Sequence, residues 1–115
     1  MYIKTGNINM KNGLYFAKFN SNMSDWGDGV ITIQENKVNG GDFACFYQGE
    51  IKGSKIILHV TQHSTQRTSV FGDLKEFDLD LDIKEFSSNL EASGNVVGQP
   101  HLTIQIQLKF LSDLL

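Results

Sequence analysis

The stretch from Gly40 to His63, GGDFACFYQGEIKGSKIILHVTQH, decides the fold of this chain. Two runs rich in β-branched and aromatic residues, Phe43 to Ile51 and Lys55 to His63, flank the turn residues Lys52-Gly53-Ser54. Short runs of that composition on either side of a glycine turn read as the strands of a β-hairpin. The pair Gly40-Gly41 opens it, because glycine takes a sharp bend or bulge that β-branched residues resist. The stretch contains no helix, and its glycines lack the spacing of a phosphate-binding loop.

Outward from this hairpin the pattern repeats. Eleven glycines against one proline, with apolar residues in short runs, favour strands broken by glycine turns. Leu14 to Asn20 reads as a first strand with Tyr15, Ala17 and Phe19 on one face, and Val30 to Gln34 as a second. Glu35-Asn36 makes a tight turn into a short third segment, Lys37 to Asn39. Ser64 to Lys75 is the longest irregular connection, with room for a helical turn or a lid. Glu76 to Lys84 alternates with period two, Asn89 to Val97 is loosened by Gly94, and His101 to Phe110 alternates cleanly from Leu102 to Phe110. Eight short strands at near-regular spacing predict an antiparallel up-and-down meander. Such a meander exposes long edges unless it closes, and closure gives an all-β, lipocalin-like barrel in preference to a sandwich. An eight-stranded barrel leaves an interior just wide enough for side chains or one small ligand.

The 115 residues fit one domain, and a chain of this length buries roughly 65% of its unfolded surface. Met1 to Asn9 is polar and out of phase with the first strand, so it reads as a tail, disordered or not, ahead of a barrel domain spanning 10–115. A formal net charge of -3 argues against direct contact with nucleic acid or an anionic membrane, both of which favour a basic face. The lone cysteine, Cys45, rules out an internal disulfide and fits a reducing compartment. Neither the apolar core of a signal peptide nor the ~20 apolar residues of a membrane helix occurs, so the expectation is a cytoplasmic protein.

Five groupings have the residue types from which sites are made. Glu76, Asp78, Asp80 and Asp82 alternate with Phe77, Leu79, Leu81 and Ile83, so a strand sets four carboxylates on one face at ~6.6 Å intervals. That ridge reads as a solvated outer barrel face, as a dock for a basic partner protein, or as a weak calcium site. A linear row serves calcium poorly, since the ion takes six to eight wrapped oxygens, about as many as a folded loop supplies. The basic turn Lys52 to Lys55 offers a second candidate partner surface through Lys52 and Lys55. Tyr15, Phe19, Tyr47 and His59 are candidate lining for an interior cavity, should the barrel hold a small apolar ligand. His59 and His63 share a strand face but stand ~13 Å apart, too far for both to ligate one zinc. Cys45 lacks a base partner and reads as a buried structural thiol. The remaining aromatics, Phe16, Phe43 and Phe46 among them, read as core, and Trp26 as a mouth residue or an interface anchor. No acid/base pair or nucleophile arrangement is visible, so the expectation is a binding protein without cofactor rather than an enzyme.

Several of these residues also carry a resemblance. Asn12-Gly13-Leu14-Tyr15, Gly29 to Ile33, Gly40-Gly41-Asp42, Tyr47-Gln48-Gly49, Ile56-Ile57-Leu58-His59-Val60 and Ser69-Val70-Phe71-Gly72 occur in the order seen in the GrlR-like proteins of bacteria. The chain resembles that family from about Met10 to Phe110. The resemblance implies a calycin-like barrel of eight antiparallel strands, often a homodimer. It further implies negative regulation of type III secretion genes through direct capture of a DNA-binding activator. In the namesake the turn between the two strands of the opening hairpin is acidic, whereas here Lys52-Gly53-Ser54-Lys55 is basic.

Overall fold

The structure, a computed structural model, describes residues 10–24, 26–86 and 89–115, and of Trp26 and Phe86 the backbone alone. Eight strands follow one another: β1 (Gly13–Ser21), β2 (Trp26–Gln34), β3 (Lys37–Gly41), β4 (Cys45–Lys52), β5 (Lys55–Gln62), β6 (Glu76–Phe86), β7 (Asn89–Val96) and β8 (Gln99–Ser112). Each pairs antiparallel with the next, and β8 returns to β1, closing the sheet into an up-and-down barrel. Among the described residues there is no helix. The tail expected over residues 1–9 lies outside the described residues.

Alternation along each strand separates inside from outside. Tyr15 and Ala17 on β1, Ile31 and Ile33 on β2, Ile56, Leu58 and Val60 on β5, and Phe77, Leu79, Leu81 and Ile83 on β6 are all buried. On β8, Leu102, Ile104, Ile106 and Leu108 complete the wall. A one-residue slip in any ladder would turn such a set to solvent, so the interior fixes the register. The short turns agree with it. Glu35 and Asn36 both take positive φ (51° and 65°), the two-residue geometry whose twist suits a hairpin. Gly53 (φ 66°) opens the β4–β5 turn between the paired Lys52 and Lys55.

The two ends of the barrel differ. Both chain ends of the domain and the β2–β3 and β4–β5 turns lie at one end, where Met10 and Tyr15 are buried and Tyr15 meets the Phe110 ring edge-on at 5.5 Å. At the other end the residues after β5 fold over the mouth as a lid. Phe71 from this lid is only 2% exposed and packs edge-on against Phe77 at 5.5 Å. The Ser21 hydroxyl donates to the Val70 carbonyl at 2.7 Å and accepts from the Met23 and Ser24 amides, so one buried side chain ties the lid to the end of β1. The long connection is therefore a lid with no helical turn.

Three aromatic expectations are corrected. Phe43 is 83% exposed and precedes β4, while Ala44 is buried in its place. The cause is Asp42, whose Oδ1 accepts from the amides of Ala44 and Cys45 at 2.7 and 2.8 Å and tips Phe43 outward. Phe46 and the half-buried Phe16 stand on the outer face rather than in the core, in register with the apolar-polar alternation of their strands.

Gly94 on β7 lies against the β6 backbone with no room for a side chain. A Cβ built there would overlap the Asp80 carbonyl oxygen on β6, which belongs to the backbone and has no freedom to rotate away. We expect Gly94→Ala to cost about 3 kcal/mol, the upper part of the usual overpacking range, read as a lowered denaturation midpoint in urea. An unchanged midpoint would show that β6 and β7 can spread.

Candidate functional site

Two regions gather side chains suited to binding, the outer face of β5 and β6 and the barrel interior below the lid. On the outer face, β5 presents Lys55 and His59 directly opposite Asp82 and Asp78 of β6. Lys55 Nζ lies 3.3 Å from Asp80 Oδ1 and 3.4 Å from Asp82 Oδ1. His59 Nδ1 lies 2.6 Å from Asp78 Oδ1, and its Nε2 lies 2.9 Å from Glu76 Oε1. Each carboxylate of the ridge thus has a basic partner on β5, Lys55 or His59. Four carboxylates against two basic side chains leave a residual negative charge along an otherwise braced face. Lys52 pairs with Glu50 of its own strand at 3.8 Å. Among the described residues no group of three or more acidic, histidine or cysteine side chains converges on a metal position.

The double contact of His59 has a protonation consequence. A neutral imidazole carries one N–H and can donate to one carboxylate only, whereas imidazolium donates to both. Hydrogen bonding to Asp78 and then to Glu76 raises the His59 pKa above its ordinary value. Around the ring, β4 contributes the uncharged Gln48 directly opposite and Glu50 on a diagonal, while on β6 Glu76 and Asp80 flank Asp78. His59 is therefore not a cavity residue, contrary to expectation. On β5 the inward positions are Ile56, Leu58 and Val60, and the intervening positions, His59 among them, face solvent.

The interior holds a cavity of about 80 Å³ along the barrel axis. Phe19 and Tyr47 line it, together with Ile31, Leu58 and Leu79, and Ser69 and Val70 of the lid close its upper end. Tyr15, expected to line it, is buried below and off the cavity, with its hydroxyl donating to the Lys11 carbonyl at 2.6 Å. Phe19 meets Tyr47 edge-on at 6.5 Å. Tyr47 donates to Asp42 Oδ2 at 2.6 Å, so a carboxylate already fixed by two backbone amides anchors the phenol of the cavity wall. Burial, then the bond to Asp42, pushes the Tyr47 pKa far up and keeps it a neutral donor. Cys45, beside them, is 3% exposed, and burial together with the Asp42 charge pushes its pKa up to about 11. That thiol is no nucleophile in the closed barrel.

Sequence reasoning misses Asp42, Ser21 and Phe71. An Asp followed by an aromatic after Gly-Gly is a turn signal whose side chain also reaches inward. The apolar Val70-Phe71 pair within a polar connection is the available sign of a lid that packs.

Fold and site together define a closed eight-stranded antiparallel barrel with a lidded apolar interior and an ion-paired outer face. No family model matches this chain, and no curated protein matches it.

The His59 bridge sets a direction for pH dependence. The ring is more basic in the folded chain than in the unfolded one, so its contribution is complete below the ordinary histidine value of about 6.5 and is lost as pH rises through the folded value. Because these groups are half-exposed, the effect stays near the ~0.2–1 kcal/mol of surface ion pairs. Thermal unfolding between about pH 5 and pH 9 should show wild type losing its advantage over His59→Gln as pH rises. A constant difference would mean that the ring does not titrate against these carboxylates.

Proposed function

We propose that this chain is a non-enzymatic regulatory binding protein that acts by direct contact with a partner protein. The resemblance to GrlR-like proteins supports a partner that is a DNA-binding transcriptional activator, with a homodimer as the acting assembly, a cytoplasmic setting and type III secretion genes as the regulated output. The observation that carries the binding role is the lidded end of the barrel. Met23, Phe43 and Val97, one from each of three connections at that end, are 57%, 83% and 52% exposed. Arg67 of the lid stands 5.9 Å over the Phe43 ring, within cation–π range. Single exposed apolar residues are ordinary, and the reading rests on three bulky ones sharing the turns of one end. The ridge of Glu76, Asp78, Asp80 and Asp82 and the Lys52–Lys55 turn are weaker candidates. Their charges are engaged within the protein, and docking there would have to displace those partners.

A second reading rests on the interior: the apolar cavity under the lid favours a barrel that also holds a small apolar ligand, as carrier or sensor. Apolar cavities stay dry, and one of about 150 Å³ accepts benzene, so this smaller one suits a guest of a few heavy atoms.

The first reading is tested by affinity capture from the source cells, with mass spectrometry to identify the bound protein. A Met23→Ser, Phe43→Ser double variant should lose an activator that wild type retains, while its stability shifts by no more than about 0.5 kcal/mol, as exposed sites do. Equal recovery of that activator by a folded double variant removes this end from consideration. In parallel, Asp78→Lys, Asp80→Lys and Asp82→Lys together should leave capture intact, and loss of the activator by a folded triple variant would return the contact to the ridge.

A further inference from the structure

The interior wall dictates the chemistry of the guest, a conclusion that rests on the second reading above. Among the described lining residues only Asp42, Cys45, Tyr47 and Ser69 have polar side chains, and their polar groups are engaged within the protein or inert. Asp42 Oδ1 accepts from the amides of Ala44 and Cys45, and its Oδ2 accepts from the Tyr47 hydroxyl. The Ser69 hydroxyl donates to the Leu74 carbonyl at 3.2 Å and accepts from the Phe71 amide at 3.1 Å. The Cys45 thiol stays protonated and is a weak donor at best. What the wall presents inward is therefore hydrocarbon almost throughout. The ends offer a polar head no way out to water while the barrel is closed. Ser69 and Val70 cap the upper end, where the Ser21 hydroxyl holds the Val70 carbonyl, and the buried Met10 lines the lower end.

We propose that the closed barrel takes a small unfunctionalised hydrocarbon, a guest without any polar head, and that it excludes alcohols and fatty acids. A hydroxyl carried inside gives up its bonds to water and finds none in return. A carboxylate fares worse, because it adds an unpaired charge beside Asp42, and no lysine, arginine or histidine stands among the described lining residues to offset it. A hydrocarbon loses nothing on entry and gains the dispersion contacts that an empty cavity forfeits. Size sets the second limit. The 80 Å³ of the interior is about half the ~150 Å³ that takes benzene, which leaves room for about three heavy atoms. The selection is thus the reverse of an amphiphile carrier's, which keeps the head of its cargo at an open mouth.

The test compares propane, supplied under pressure, with ethanol, a probe of equal heavy-atom count, and with hexanoate as a fatty-acid anion. Each is titrated into the full chain and followed by methyl NMR shifts. Propane should move the methyls of Leu58, Val70 and Leu79, which line the cavity. Ethanol should bind about ten-fold or more weakly, the factor that follows from leaving one hydroxyl without a partner. Hexanoate should leave the same methyls where they are. Ala17→Leu, at a buried position of the wall, fills the cavity and should abolish the propane shifts. Ala92→Leu fills it from β7 and serves if Ala17→Leu does not fold. Ethanol or hexanoate matching propane at these methyls overturns the guest without a polar head while leaving an interior site in place. Propane shifts that persist in a folded, filled variant overturn the proposal by placing propane elsewhere. Propane without effect on wild type overturns both this guest and the second reading.

Discussion

The ladder between β1 and β8 is the pairing on which everything else in this protein depends. Gly13–Ser21 and Gln99–Ser112 come from opposite ends of the domain, and their register from Leu14↔Ser112 to Ser21↔Ile104 turns an open meander into a closed wall. Closure removes both edges at once, and with them the unpaired amides and carbonyls that would template aggregation. It also makes the distinction between inside and outside absolute. Every odd-even choice along eight strands is then tested against one shared interior. Asn22 extends this seam beyond the last backbone pair: its side-chain amide donates to the His101 carbonyl at 2.8 Å and accepts from the Thr103 amide at 3.0 Å. The seam is the pairing with the greatest sequence separation, so its loop-closure cost falls last and the barrel is complete only when it forms.

Much of this architecture is legible in the residues, because each strand with one buried face writes its burial into alternate positions. Leu102 through Leu108 and Phe77 through Ile83 can be assigned to the interior without any knowledge of their neighbours. The illegible places are those where a side chain overrides the alternation. Asp42 caps the start of β4 with its carboxylate, and the strand begins at Cys45, so Phe43 leaves the core that its apolar character predicts. The chemistry of His59 suggests the cavity, yet its position between Leu58 and Val60 already places it outside. Parity is the better guide there, and residue type the poorer one. The lid lies beyond both rules, since its folding over the mouth depends on Ser21 meeting Val70 across 49 residues.

The outer face of β5 and β6 and the interior below the lid illustrate two ways to accommodate charge in a small barrel. On the outside, Lys55 and His59 brace a row of carboxylates that would otherwise repel one another along one strand. Solvent screens such pairs, so they shape the surface more than they stabilise it. Among the described residues the cavity wall has a single carboxylate, Asp42, and it is fixed by hydrogen bonds from two amides and one phenol rather than by a cation. The first arrangement can change with pH without disturbing the fold. The second is coupled to the turn, the cavity wall and the lid together, so any change there reaches all three.

Cys45 has a use that its inertness provides. The chain has one thiol, and it sits against the cavity under the lid, buried and held in the protonated form by its surroundings. A reagent that attacks only exposed thiolate has nothing to react with until the wall near Asp42 and Tyr47 parts. The barrel therefore carries its own clock: the rate at which this one sulfur is modified counts how often the upper mouth opens, with no label added and no second cysteine to confuse the reading.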